Sequence, residues 1–599
     1  MTDARRPLRL WPGIVLAVAA ALARFVLPAV VPDSLMYSVL GGFFAAVLVP
    51  LWWLFFSRAA WVERLGAIAV MVLGVFGAKF IVDVSIATGA MGYLMYFLVL
   101  PILSIAFVAW AVATRNLSDG VRRATMAATI VAVCGGMALV RTGGFNGSFQ
   151  NDLHFRWTKS AEDRLVEAAA EPTAPAPPPV TPAAVPEKPA AIPASPAAAT
   201  AAPVAAEAPK VEKVYPSAEW PGFRGPHRDG SAAGVRIKTD WAASPPVKMW
   251  QRTVGPGWSS FAVQGNLIYT QEQRGPNEVV SCYELKTGKP VWTHRDAARF
   301  YESNGGPGPR GTPELSNGRV YTLGGTGIVN ALNASTGAVI WSRNGAAETE
   351  MKTPDWGFAG SPVVVDDAVL VAVSGRLAAY DAATGAPRWK GPARHTSYSS
   401  PHVATIGGVK QVLLLSADGL SSFAPADGKL LWEHAWKGYP IVQPALTPDG
   451  DVLISVTDSS GLRRLAATQS ADGWKVEERW TTNGLKPYFN DFVVHNGYAF
   501  GFDGSILSCI DLKDGQRKWK GGRYGNGQMV LLADEDVLLV AAESGEVALV
   551  SATPDQFKEL GRFTAIEGKT WNHPVVVRDV LLVRNGEQMA AFRLASAGL

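Results

Sequence analysis

Two hydrophobic rhythms divide this chain. The first ~145 residues are apolar almost without a break, while the chain beyond Tyr215 runs in short alternating stretches punctuated by glycine and Asp or Asn turns. Five apolar stretches approach the ~20 residues a helix needs to cross a bilayer: Trp11–Val31, Leu35–Phe56, Leu65–Ile86, Met91–Ala113 and Thr125–Val140. Arg5, Arg6 and Arg9 precede the first stretch, Arg58 and Arg64 follow the second, and Arg115, Arg122 and Arg123 separate the fourth and fifth. The remaining loops, near Asp33 and Thr88, carry no Lys or Arg. The positive-inside rule then predicts a cytoplasmic N-terminus in the inner membrane, with everything after Arg141 in the periplasm. Arg24, Lys79 and Asp83 are ionisable groups at span depth. On a continuous helix Lys79 and Asp83 share a face, which predicts a Lys79–Asp83 or Arg24–Asp83 contact that ties the bundle, lines a quinone or proton site, or snorkels outward.

The alternating half reads as β-strands. Ser361–Val373 is a strand, a tight turn and a second strand, with Tyr380 on a third and Trp389 on a fourth. The last two flank Ala379-Tyr380-Asp381-Ala382-Ala383-Thr384-Gly385-Ala386-Pro387-Arg388-Trp389, which recurs. A glycine stands four residues before a tryptophan at Gly288/Trp292, Gly337/Trp341, Gly385/Trp389, Gly428/Trp432 and Gly515/Trp519, and a looser copy ends at Trp480. Successive tryptophans lie about 40–50 residues apart, the period of a four-stranded propeller blade. Six tryptophan copies and a seventh ending at Phe563 leave an eighth blade to be assembled from both ends, Met589–Leu594 pairing with Val247–Val254. Such closure removes the open sheet edges. The expected fold is therefore an N-terminal helical membrane domain and an all-β, eight-bladed β-propeller, with seven blades as the alternative. The domains are 1–145 (membrane), 146–214 (Ala/Pro-rich linker) and 215–599 (propeller). The Ala168–Lys210 stretch has few bulky apolar residues and reads as a semi-extended tether, long enough to let the propeller work away from the membrane.

Composition narrows the function. A net charge of +4 over 599 residues, with no basic run interleaved with aromatics, excludes nucleic acid as a partner. Cys134, Cys282 and Cys509 form no CxxC pair and no metal-ligand cluster. Cys282 and Cys509 occupy equivalent positions in separate copies, too far apart for a disulfide, and read as small core residues.

The repeat Ala-x-Asp-x-x-Thr-Gly-x-x-x-Trp resembles the tryptophan-docking repeat of the pyrroloquinoline quinone (PQQ) propellers, the quinoprotein alcohol dehydrogenase-like superfamily. Trp220-Pro221-Gly222-Phe223-Arg224-Gly225-Pro226-His227-Arg228-Asp229-Gly230 resembles the opening of short bacterial members. Five spans followed by such a propeller are similar in layout to membrane-bound quinoprotein glucose dehydrogenase. The small blades, the missing Cys-Cys pair and the missing pocket insertions look more like the non-catalytic propeller lipoprotein of outer-membrane protein assembly, which docks partners. The resemblance thus implies a binding or scaffolding module of the cell envelope, with membrane lipid and envelope proteins as partners. The alternative it implies is a PQQ- and calcium-dependent dehydrogenase passing electrons to membrane quinone. Such an enzyme needs a ring to stack on the quinone, a cation against its carboxylates, oxygen ligands for calcium and a carboxylate base. The loops entering the innermost strands offer Trp356 and Arg310, Asn490, Asn572 and His573, and Asp355 or Asp491 as the base. The competing reading is that these residues hydrogen-bond strand ends and plug the channel.

Overall fold

The computed structural model describes residues 8–31, 34–146, 150–167 and 217–598. The Ala168–Lys210 stretch lies outside the described residues.

Eight blades of four antiparallel strands close into a ring, each running from an innermost first strand to an outermost fourth, and one blade gains a fifth strand at its inner edge. Blade 1 comprises Ala262–Gln264, Leu267–Arg274, Asn277–Glu284 and Pro290–Asp296. Blades 2 to 7 follow in order, their innermost strands at Glu314–Ser316, Val363–Val365, His402–Ile406, Ala445–Leu446, Val493–His495 and Gln528–Leu532. Blade 8 is composite, as expected: Val575–Val577, Val580–Arg584 and Gln588–Arg593 take Val247–Thr253 as their outer strand. The blade ending at Glu559–Thr564, with Phe563 where others have tryptophan, is complete, so the ring has eight blades rather than seven. The core lies between neighbouring blades. Tyr321, Leu323 and Trp341 of blade 2, for example, are buried against Val369, Val371 and Tyr380 of blade 3.

The repeat supplies that inter-blade contact. Trp341 donates its indole N–H to Ala382 O of the next blade at 3.1 Å. Its ring lies so close under Gly385 that a Cβ there would be 2.6 Å from Cδ2. Gly385 also has φ +73, a conformation that costs other residues about 1–2 kcal/mol. Trp292, Trp389 and Trp480 repeat the arrangement with Ala334, Pro425 and Leu512, and Trp250 closes the circle on Leu285 at 2.8 Å.

Two of the repeat tryptophans depart from this pattern, because the blade that follows each lacks a glycine at the matching place. Trp432 donates to Gln411 Oε1 of its own blade at 2.7 Å, with Trp474 of the fifth blade packed 6.4 Å away. Trp519 keeps the inter-blade bond, donating to Thr553 O of blade 7 at 2.7 Å. Its ring, however, meets the edge of Phe557 at 5.8 Å, where the other copies present a glycine. Docking at Trp519 is thus aromatic against aromatic. Gly515 itself still lies over the preceding ring, that of Trp480. All three cysteines are free and buried.

Among the described residues, four helical segments are long and apolar enough to cross a membrane: Trp11–Val30, Tyr37–Phe56, Trp61–Ala78 and Leu94–Ala113. The fifth expected span is an 18-residue helix, Asp119–Gly136, whose first turns carry Arg122 and Arg123. These pair with the buried Glu63 at the start of the third span, Arg123 at 3.6 Å. The third span ends at Ala78 rather than Ile86, which corrects the expected Lys79–Asp83 face. Lys79 caps that helix, and Asp83 caps the next, Val84–Thr88, accepting from Ser85 N at 3.0 Å. Asp83 faces Arg156 at 3.7 Å. Arg24 sits in a widened π-helical turn, its guanidinium 5.8 Å from the Phe25 ring centroid.

Beyond the fifth helix, where the sequence suggests linker, the chain forms a hairpin (Val140–Phe145 with Asn151–Phe155) and a short helix, Ala161–Glu167. These dock the propeller onto the bundle, so the two halves touch despite the tether.

Candidate functional site

The channel is crossed by the segment that precedes the first repeat. Trp220 pairs with Val263 of blade 1. Pro221 O accepts from Leu315 N of blade 2 at 2.7 Å. Arg228 donates to Pro362 O (2.8 Å) and Ser361 O (3.2 Å) of blade 3 and lies 3.5 Å from Glu314. Gln443 of blade 5 donates to Arg228 O at 2.8 Å. Arg224 donates to Phe492 O of blade 6 and sits 3.5 Å from Asp491. Ser231 and Ala232 then add a parallel strand to blade 7. One short segment thus joins six blades across the axis. It turns at Arg224 (φ +62) and Arg228 (φ +57), an uncommon backbone region for non-glycine residues, held by these side-chain bonds.

Inside this plug the charges are already partnered. Phe223 meets the His573 ring edge-on at 4.9 Å, and His573 Nε2 lies 3.2 Å from Asp491 Oδ2. Burial works against the Asp491 carboxylate, but Arg224, His573 and the Gln443 amide outweigh it and hold Asp491 below the usual carboxylate range. Burial and then Arg224 push His573 down against the pull of Asp491. His402 falls to about 3 through burial and the two arginines. Burial raises Glu314 to about 7 despite Arg228.

The residues proposed for cofactor chemistry are divided among separate tasks. Only Asp491 and His573 meet. Asn572 donates to Gly257 O and Ser259 O (3.2 and 2.7 Å), and Asn490 Oδ1 accepts from Tyr488 N at 3.2 Å, so both brace loops. Arg310 is consumed by Glu302 at 3.0 Å and by the carbonyls of Gly306 and Gly308. Trp356 packs on Tyr398 at 4.8 Å with the rings tilted by 36°, and Asp355 is exposed beside it. No group of three or more His, Cys, Asp or Glu converges among the described residues. PQQ with calcium does not fit: the cation for its carboxylates is occupied, the oxygen donors do not converge, and Phe223, Arg224 and Arg228 fill the axis.

The loops that enter the innermost strands also hold the propeller's contact with the helical base. Trp258 and Trp571 face each other at 4.8 Å, and Phe489 packs on Trp571 at the same distance. Lys569 Nζ lies 4.5 Å from the Trp571 centroid and donates to Phe145 O of the hairpin at 2.9 Å. Burial lowers Lys569 to about 8. Phe145 N donates to Asn304 O at 3.1 Å. Arg299 grips Glu162 in a two-pronged pair at 2.6 and 3.0 Å, and Gly275 N donates to Glu162 at 2.8 Å. The Thr88 and Ser303 hydroxyls touch. Arg224 and Arg228 were visible in the opening motif, but their partners on the blades lie 86 to 268 positions away, beyond any local pattern.

The fold and site define a membrane-associated PQQ-repeat propeller of the cell envelope, with a self-filled channel and a helical base. Residues 241–410 and 416–598 match the family described as outer membrane protein assembly factor BamB, and the chain belongs to that family. BamB of Yersinia pestis is 24% identical over 328 residues, covering 51% of this chain and 70% of that protein. A lanthanide-dependent methanol dehydrogenase of Methylacidiphilum fumariolicum is 32% identical over 134 residues, only 20% of this chain and 19% of that enzyme. The crystal structure of BamB from Moraxella catarrhalis aligns at 13% identity with a TM-score of 0.43, covering 58% of this chain and all of that one.

Proposed function

We propose that this protein is an inner-membrane-anchored docking module whose propeller stands in the periplasm and binds other envelope proteins. The observation that carries this reading is the plug. A channel sewn shut by Trp220–Ala232, with Asp491 already paired to Arg224, offers a rigid platform rather than a reaction vessel. Membership in the BamB family supports it. The bundle supports the orientation. Arg9, bonded to Ser57, and the Glu63–Arg122 pair mark one basic end, while Ser85 and Thr142 meet at the end that carries the propeller. The fifth helix runs between the two, as an odd number of crossings from a cytoplasmic N-terminus requires. Tyr439 stands exposed beside Pro440, whose carbonyl accepts from the buried Tyr398 N at 3.1 Å, and an exposed aromatic group of this kind can anchor a protein partner.

The test has two arms. Purified protein is titrated with PQQ and calcium and assayed for quinone absorbance and dye reduction with sugars or alcohols; stoichiometric uptake with turnover would overturn the docking reading. In cells, a photo-crosslinking residue at Tyr439 is expected to trap envelope proteins, and a C-terminal phosphatase fusion is expected to be active only outside the cytoplasm.

A further inference from the structure

The hairpin at the base of the propeller leaves an apolar edge unpartnered where the helical bundle ends. Leu153 and Phe155 lie two residues apart on one strand, opposite Thr142 and Val140 of the other. Leu153 is 45% exposed and Phe155 56%. Trp157 follows, 67% exposed, its ring stacked on Phe155 at 4.8 Å with 10° between the planes. Nothing in the described propeller covers these rings: the hairpin's contact with it runs through Phe145, at the other end of the sheet.

Their height relative to the spans is set by three bonds. Arg156, between the two aromatics, donates to Ile81 O at 3.3 Å and faces Asp83 at 3.7 Å. Arg156 N donates to Leu139 O at 2.8 Å. Ile81 lies just past the end of the third span at Ala78, and Leu139 just past the fifth helix. Phe80, Ile81 and Leu139 are themselves exposed, so the hairpin edge continues the outward-facing apolar surface of the bundle past the helix ends.

We propose that Leu153, Phe155 and Trp157 form an interfacial foot that inserts into the headgroup–acyl boundary of the outer leaflet. Aromatic side chains favour this depth because the ring contacts acyl chains while the edge and backbone remain hydrated. Elements that lie in the interface bury apolar groups about 5–10 Å below the headgroups. A lipid occupant, rather than a protein, follows from continuity: the edge abuts residues that already face lipid when the helices span. The foot would fix the height of the propeller above the bilayer, while the Arg299–Glu162 pair ties the propeller to the short helix Ala161–Glu167.

The inference rests on the helices being membrane spans, and the experiment separates the two. Full-length protein in nanodiscs of phosphatidylethanolamine and phosphatidylglycerol is labelled with an environment-sensitive fluorophore at Phe155→Cys, at the lipid-facing Leu73→Cys and at Tyr439→Cys. The three native cysteines are buried, and unsubstituted protein gives their background. Nitroxide lipids labelled near the headgroup should quench position 155, and lipids labelled deep in the acyl chain should quench position 73. Aqueous iodide should quench only position 439. If position 155 behaves like position 439, the foot is solvent-exposed and the proposal fails. If position 155 resists both iodide and nitroxide lipid, a protein covers it and the proposal also fails. If position 73 escapes the deep nitroxide, the span reading fails first. Leu153→Cys serves as a second position should the Phe155 variant not fold.

Discussion

Replacing Gly385 by alanine separates the two demands that the repeat places on its glycine. The first is conformational: at φ +73 a Cβ costs about 1–2 kcal/mol. The second is inter-blade contact, because that Cβ would lie 2.6 Å from Cδ2 of Trp341. Relieving the clash requires the ring to move by the better part of an ångström in a packed site, an overpacking cost of about 1–3 kcal/mol. The same movement weakens the 3.1 Å bond from Trp341 to Ala382 O, itself worth about 1 kcal/mol. The expected total is about 2–6 kcal/mol. Gly408 provides the reference: its φ is +79 and an added Cβ meets nothing within 4 Å, so Gly408→Ala isolates the backbone cost. Urea unfolding of the full chain in detergent, followed by the β-sheet signal in circular dichroism, measures both midpoints. Gly385→Ala should lose at least twice as much stability as Gly408→Ala, and in a Trp341→Ala background the excess should vanish. Equal losses in the two variants, or an excess that survives removal of the indole, would refute ring docking as the reason for the glycine.

Arg224→Met should cost about 3–5 kcal/mol, because it leaves Asp491 buried without its cation; Arg224→Met/Asp491→Asn should regain part of this, read as the melting temperature. Burial, then Asp296, raise Glu278 from its ordinary 4.5 to about 7, so its contribution is fully present below pH ~4.5 and is lost as the pH rises through ~7. Glu278→Gln should therefore stabilise the propeller at alkaline pH, by up to about 3 kcal/mol, and flatten the stability–pH slope between those limits. Thr88→Cys/Ser303→Cys should form a disulfide under mild oxidation, since the two hydroxyls already touch; failure to cross-link, read by peptide mass spectrometry, would show that the propeller does not rest on the bundle.

Recurrence made the ring legible before any coordinates. Each copy is a local β-hairpin with its own turn chemistry, so Tyr380, Gly385 and Trp389 declare two strands and the turn between them without reference to the rest of the chain. Even the closure of blade 8 was readable, because an unpaired strand at each terminus must find the other. What each tryptophan docks against was less so. Trp519 carries the same local motif as Trp341, yet its neighbour is Phe557, because a tryptophan's partner belongs to the next blade. The helix ends were also less legible. Hydropathy carried the third span through to Ile86, but the chain breaks at Ala78 because Asp83 caps a new helix.

The plug and the docking were decided by tertiary structure alone. Arg224 finds Asp491 and Phe492, and Arg228 finds Ser361 and Pro362, only when the ring has closed around them. Likewise Glu162 meets Arg299, and Phe145 meets Asn304 and Lys569, across the tether. The sequence by itself determined what is periodic and local: the blades, their number and the apolar helices. Which loops hold a charge free for chemistry, and which spend it on one another, depends on distances across the channel that no local pattern encodes.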